Sequence, residues 1–173
     1  MTFPDTKIST VAAYWAQYTN ELQLGAQSLD PRNLDAAAGL ITRAIERRTV
    51  IYVCGNGGSS AIASHLLCDF NKGIRTDTEL LPRVVALTDN VPMLTAIGND
   101  IGYDEIFSYQ LSGLGNPSDL LIAISSSGDS ENIVRALSIA KDIGMSTIAF
   151  TGFDGGRAKK IADVVVLYAA VTN

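Results

Sequence analysis

Thr49-Val50-Ile51-Tyr52-Val53-Cys54 runs directly into Gly55-Asn56-Gly57-Gly58-Ser59-Ser60, and this junction decides the fold. A short β-branched, apolar run predicts a buried strand. Three glycines then let the backbone turn tightly and come close to a ligand. From Ser60 to about Asn71 the pattern predicts a helix. Ser59 and Ser60 fall where a helix start leaves N–H groups free, which suits an anion such as phosphate. The glycine spacing is not that of a dinucleotide site, and no Lys follows as it does in a P-loop. Taken alone, the segment fits either a phosphate site or a plain glycine-rich turn.

Downstream, strands and helices alternate. Strands are predicted at Arg83 to Leu87, Leu120 to Ile124, Thr147 to Phe150 and Val164 to Leu167. Helices are predicted at Pro92 to Gly98, Tyr103 to Leu114, Glu131 to Gly144 and Ala158 to Ile161. Apolar strands joined by helical crossovers imply an α/β fold, a doubly wound five-stranded parallel sheet covered on both faces. Such a sheet binds ligands at the C-terminal ends of its strands.

Upstream, apolar residues recur at helical spacing from Ile8 to Leu29, until Asp30 and Pro31 break the pattern. Asn33 then caps a second helix from Leu34 to about Arg48. The reading is one domain over 1–173: an N-terminal helical pair at 1–48 and an α/β core at 49–173 that lacks a closing helix. Tyr14, Trp15 and Tyr18 on the first helix suggest contact with a second copy of the chain.

The 173 residues carry a net charge of −5, with scattered Lys and Arg. Arg43, Arg47 and Arg48 share a helix with Glu46 and read as a solvated face, so no nucleic-acid footprint is expected. Cys54 and Cys68 fit neither a redox pair nor a zinc knuckle and read as reduced thiols. No signal peptide or bilayer-spanning segment is evident, which points to a soluble, cytoplasmic protein.

A second anion-friendly turn is Ser125-Ser126-Ser127-Gly128-Asp129-Ser130-Glu131-Asn132, after the third strand and before a helix. Its hydroxyls and N–H groups can form an anion nest, or Ser130 can simply cap the helix. Two such turns on one sheet favour a phosphate-bearing ligand. No basic residue adjoins either loop in sequence, so neutral donors are expected to hold it.

His65, the one histidine, lies four residues before Asp69, which puts both on one helix face. The pair can move protons, form half of a metal site, or be an ordinary surface pair. Asp89, Asn90, Asn99 and Asp100 read as turn or cap residues, though Asn99 and Asp100 can also reach a cleft. Asp154 reads as a turn residue.

With these segments in order, the chain resembles the SIS phosphosugar isomerases, in their sedoheptulose-7-phosphate isomerase branch. The resemblance spans Ile8 to Val166. It is carried by Cys54–Phe70 (CGNGGSSAIASHLLCDF), Thr95–Leu111 (TAIGNDIGYDEIFSYQL), Ile124–Leu137 (ISSSGDSENIVRAL) and Thr151–Gly156 (TGFDGG). It implies a flavodoxin-like SIS fold. It also implies that the first loop (Gly57, Gly58, Ser59) and the second (Ser125, Ser126, Ser127, Ser130) hold a substrate phosphate, with Asn56 and Asp100 on the sugar.

The resemblance further implies an aldose–ketose isomerase working through an enediolate, in heptose biosynthesis. The family's catalytic Glu is Asp69 here, with His65 as its partner. Some members bind zinc through this pair, with a Gln and a second His on a last helix that this sequence lacks. No nucleotide cofactor is expected. Homotetramers formed through the N-terminal helices are implied as well. The alternative is a non-catalytic SIS module, either of the replication-initiator-associating kind or a sugar-phosphate sensor.

Overall fold

The computed structural model describes residues 3, 4 and 6–168. The expected stop after the fifth strand concerns residues 169–173, which lie outside that range.

Helix α1 (Val11–Gln27) starts at Thr10, whose hydroxyl accepts the Ala13 N–H at 3.1 Å. Helix α2 (Pro31–Glu46) starts earlier than expected. Its cap is Asp30, whose carboxylate accepts the Arg32 N–H at 2.9 Å, and not Asn33. Pro31 therefore opens the helix instead of breaking it, because a missing N–H costs nothing in the first turn.

The α/β unit then runs β1 (Ile51–Gly55), α3 (Gly58–Cys68), a π-turn (Asp69–Ile74), a single turn α4 (Arg75–Asp77), β2 (Val84–Ala86) and α5 (Val91–Asp100). It continues with a 3₁₀ turn (Tyr103–Glu105), α6 (Ser108–Leu114), β3 (Leu120–Ser125), α7 (Glu131–Ile143), β4 (Ser146–Gly152), α8 (Ala158–Ile161) and β5 (Val164–Tyr168). Two expected helices are thus interrupted: one leaves α-geometry at Asp69, and Tyr103–Leu114 divides into a 3₁₀ turn and α6.

The five strands are all parallel, in the order β2-β1-β3-β4-β5. The chain leaves β1 toward one edge and leaves β3 toward the other. The switch point, where such sheets open a crevice, therefore lies between the C-terminal ends of β1 and β3.

Alternate strand residues face opposite layers, as the pleat requires. Ile51, Val53, Leu120, Ile122 and Ile148 pack with Ala37, Ala44 and Ile45 of α2 and Ala63 of α3. Tyr52, Cys54, Leu121, Ala123 and Ala149 pack with Leu111 of α6 and with Ile133, Ala136 and Leu137 of α7. Burial pushes the Cys54 thiol up to about 12, so it stays protonated and inert.

Helix α1 is docked lightly. Gly25 is its only buried residue. A Cβ there would sit 2.1 Å from the Tyr168 ring, while the Tyr168 hydroxyl donates to the Leu22 carbonyl at 3.0 Å. Trp15 is left 64% exposed and Val11 85%.

Asp163 ties β4 to the turn before β5. Its carboxylate accepts from the Thr147 N–H and hydroxyl, both at 2.9 Å, and from Lys141 at 2.8 Å. Partial burial opposes ionisation, but the Lys141 and Thr147 hydrogen bonds win and hold its pKa below the ordinary aspartate value. Asp163→Ala leaves the fully buried Thr147 N–H without this acceptor. It is expected to cost about 2 kcal/mol in urea unfolding at pH 7. A carboxyl with a lowered folded pKa stabilises above its unfolded value of about 3.9 and loses that contribution as pH falls further. The gap between wild type and variant is therefore expected to shrink below about pH 4.

Candidate functional site

The two serine turns meet at the switch point. A cavity of about 310 Å³ opens there, lined by Asn56, Ser59, Ile124, Ser125, Ser126, Ser127 and Ser130. Seventy residues of sequence separate the two turns; the parallel pairing of β1 with β3, which sets Gly55 beside Ile124, brings them together.

Each turn has its own local cause. In the first, a Cβ on Gly55 would lie 2.7 Å from both the carbonyl oxygen and the Cβ of Ser59, so only glycine lets α3 start this close to the strand. Gly57 has φ +53° and ψ −120°, a conformation that side-chain-bearing residues avoid. The Ser59 N–H is already bonded to the Asn56 carbonyl at 2.9 Å, and that of Ser60 to Gly57 at 3.0 Å. What Ser59 offers the cavity is therefore its hydroxyl. Ser60 turns away: its hydroxyl donates to the Gly57 carbonyl at 2.7 Å, and it lines a neighbouring cavity with Thr88, Leu94 and Tyr103. Gly57 lines that neighbour too, and Gly58 lines neither.

In the second turn, the Ser125 hydroxyl accepts the Gly128 N–H and the Ser127 hydroxyl accepts the Asp129 N–H, both at 3.2 Å. A hydroxyl that accepts an N–H still has its own proton to donate. Ser130 holds the N-cap position of α7 but makes no capping hydrogen bond. The capping expectation is thus corrected: its hydroxyl lines the cavity instead. Among the described residues, the Ser59, Ser126 and Ser130 hydroxyls have no protein partner, and with Ser125 and Ser127 five serines line one space at the N-cap of α7. That is a neutral, donor-rich setting for an anion.

Asn56 reaches the cavity wall, but its amide is already engaged. It exchanges hydrogen bonds with Asn132, donating at 2.9 Å and accepting at 2.8 Å, and it also accepts the Tyr103 hydroxyl at 3.1 Å. Asn132 is 2% exposed, so this pair locks the first turn to α7. Its importance was hidden in sequence, where an Asn in a helix's first turn looks like an ordinary polar residue.

Asp100 is exposed at the end of α5 and accepts from the Asn99 side chain at 2.7 Å. It lines neither cavity, so this single chain does not bring it to the serines. Asn90 caps α5 through the Met93 N–H at 3.1 Å, and Asp154 accepts the Gly156 N–H at 3.1 Å; both act as cap or turn residues. Asp89 accepts a hydrogen bond from Ser64.

His65 and Asp69 do meet, with Nε2 and Oδ2 3.6 Å apart. Both side chains are well exposed, 75% and 61%. His65 lies in α3 and Asp69 begins the π-turn, and neither lines the serine cavity. Among the described residues, no group of three or more His, Cys, Asp or Glu is placed to hold a metal ion. The two donors present therefore do not complete a zinc site.

One basic residue reaches the second loop without lining the cavity. No basic residue adjoins the serine loops in sequence, yet the turn after β4 brings Arg157 onto the second loop. Its backbone N–H donates to Asp129 Oδ1 at 2.9 Å, its Nη2 to the Asp129 carbonyl, and its Nη1 to Glu131 Oε2 at 2.7 Å. Hydrogen bonds from Arg135, and then from Arg157, hold the Glu131 carboxyl below its ordinary pKa.

Comparison with known proteins agrees with this architecture. The chain is 41% identical over 131 residues to the phosphoheptose isomerase of Aliarcobacter butzleri, covering 76% of this chain and 69% of that one. It superposes on a phosphoheptose isomerase from Francisella tularensis with TM-score 0.85 and 32% identity, over 94% of this chain and 85% of that one. For the phosphoheptose isomerase of Neisseria gonorrhoeae the TM-score is 0.79 and the identity 38%, over 91% and 82%. The SIS domain family matches residues 14–152, spanning both serine turns and the sheet between them, and the chain belongs to that family.

Proposed function

We propose that this protein is an aldose–ketose isomerase acting on sedoheptulose 7-phosphate, in heptose biosynthesis. The observation that carries the reading is the convergence of the two serine turns on one cavity at the sheet's switch point. The names of the similar proteins supply the sugar.

In this reading the hydroxyls of Ser59, Ser125, Ser126, Ser127 and Ser130 donate to the phosphate oxygens. Helix α3 runs from that site toward His65 and Asp69. At 1.5 Å per residue, six residues separate Ser59 from His65 by about 9 Å, on the scale of a sugar carbon chain. Asp69 takes a proton from the hydroxyl-bearing carbon beside the carbonyl, giving an enediolate, and returns it to the former carbonyl carbon, while the hydroxyl proton passes from one oxygen to the other. His65 orients or hydrogen-bonds the carboxylate. No step is routed through zinc, for which two donors are too few. Asn56 and Asp100 are kept as sugar contacts, reached after the Asn56–Asn132 pair opens or once another chain completes the cleft.

The exposed Trp15 and Val11 on α1 support assembly through the N-terminal helices into a homotetramer. No helix among the described residues is long and apolar enough to cross a membrane, and a cytoplasmic location is proposed.

The test is conversion of sedoheptulose 7-phosphate, followed by NMR with and without added zinc. The expected outcome is an aldose phosphate product, with solvent deuterium at the exchanging carbon. Tight binding of the sugar phosphate without conversion would move the protein to the non-catalytic module.

A further inference from the structure

We infer that Arg157 is a positioning residue for the phosphate site: it neutralises and pins the acidic flank of the serine loop so that a phosphate dianion can be accepted there. This rests on the serine loop being the phosphate site.

The second loop presents an electrostatic problem. Asp129 lies between Ser127 and Ser130, both of which line the cavity, and Glu131 follows at the first position of α7. Two carboxylates beside a dianion repel it, and no positive side chain lines the cavity to offset them. Arg157 answers both. Its guanidinium holds Glu131 at 2.7 Å and Asp129 at 3.3 Å, while a third bond reaches the Asp129 carbonyl. The positive charge is thus spent on the flanking acids and not on the ligand, leaving the neutral hydroxyls to grip the phosphate.

The same contact fixes the loop's shape. The β4–α8 turn and the serine loop interlock through backbone bonds, Gly152 N–H to the Ser126 carbonyl at 2.8 Å and Ala158 N–H to the Gly128 carbonyl at 2.9 Å. Arg157 adds the side-chain anchor across this seam. Arg135 cannot substitute for it: it bridges Glu131 at 2.8 Å to Glu105 and Asp104, and has no contact with Asp129.

The test is titration of the intact protein with inorganic phosphate at low and high salt, for wild type, Arg157→Met, Arg157→Lys and Arg157→Met with Asp129→Asn. Arg157→Met is expected to bind phosphate roughly tenfold more weakly at low ionic strength, with the ratio shrinking at 0.5 M salt as the exposed carboxylates are screened. Arg157→Lys keeps the charge and is expected to keep most of the affinity. Adding Asp129→Asn, which removes the charge but keeps the Oδ1 acceptor, is expected to restore most of the loss. With sugar phosphate, KM is expected to rise in Arg157→Met while kcat changes little. Affinity equal to wild type in Arg157→Met, or a deficit that neither salt nor Asp129→Asn relieves, overturns the inference. Failure of the wild type to bind phosphate overturns instead the assignment of the serine loop.

Discussion

Asp69→Asn is expected to lower turnover of sedoheptulose 7-phosphate by about 10²–10⁴-fold, the range for losing a general base. The substitution keeps the shape and removes the ability to take a proton at neutral pH. Phosphate affinity is expected to stay within about twofold, because Asp69 follows α3, beyond the serine turn, and does not line the serine cavity. The split between a collapsed kcat and an unchanged phosphate affinity identifies a base; an unfolded protein would lose both. Asp69→Glu restores the residue that the family resemblance implies and adds one methylene of reach, so it is expected to retain activity. Asp69 opens the π-turn, and such turns often mark functional positions because they displace the following residues from helical register. Full turnover in Asp69→Asn would remove Asp69 from the mechanism.

Gly128→Ala is expected to be the most damaging single methyl in the chain. Gly128 has φ +68°, already unfavourable for any other residue. Its added Cβ would lie 2.1 Å from the Gly155 carbonyl oxygen, a backbone atom that no rotamer change can move. The serine loop and the β4–α8 turn must part, breaking the Ala158 N–H bond to the Gly128 carbonyl and the Arg157 anchor with it. A loss of about 3 kcal/mol in urea unfolding is expected, together with at least tenfold weaker phosphate binding. Gly144→Ala is the control. It also has positive φ, +92°, at the left-handed cap of α7, but the nearest contact is Pro117 at 3.7 Å. It is expected to cost only about 1 kcal/mol and to leave phosphate binding unchanged. Equal behaviour of the two variants would show that the interlocked turns are not what shapes the site.

The comparison of Asn56 and Arg157 shows how much of the site was legible. Asn56 sits in a motif whose local chemistry, glycines before a helix start, is written in consecutive residues, and it does line the cavity. Its amide partner lies 76 residues away. Arg157 follows a glycine pair and looks like a surface cation, because the acids that claim it belong to a different strand's loop. Helix ends show the same limit on a smaller scale. Asp30-Pro31 reads as a stop in the first helical pattern, but proline's fixed φ serves a first helical turn equally well, so one dipeptide ends a pattern and opens α2.

By itself the sequence determined the alternation of buried strands and helices, hence a parallel sheet wrapped on both faces, and the two serine turns that follow β1 and β3. Those features are local: apolar period, glycine freedom and helix-start chemistry act within a few residues. Only the tertiary structure decided which turns share a cavity, that Ser130 faces it instead of capping its helix, that Asn132 occupies the Asn56 amide, and that Arg157 offsets the acidic flank. Each depends on strand order and register, which place residues far apart in sequence within hydrogen-bond distance. That distance is set by the packing of the whole sheet, not by any segment of it.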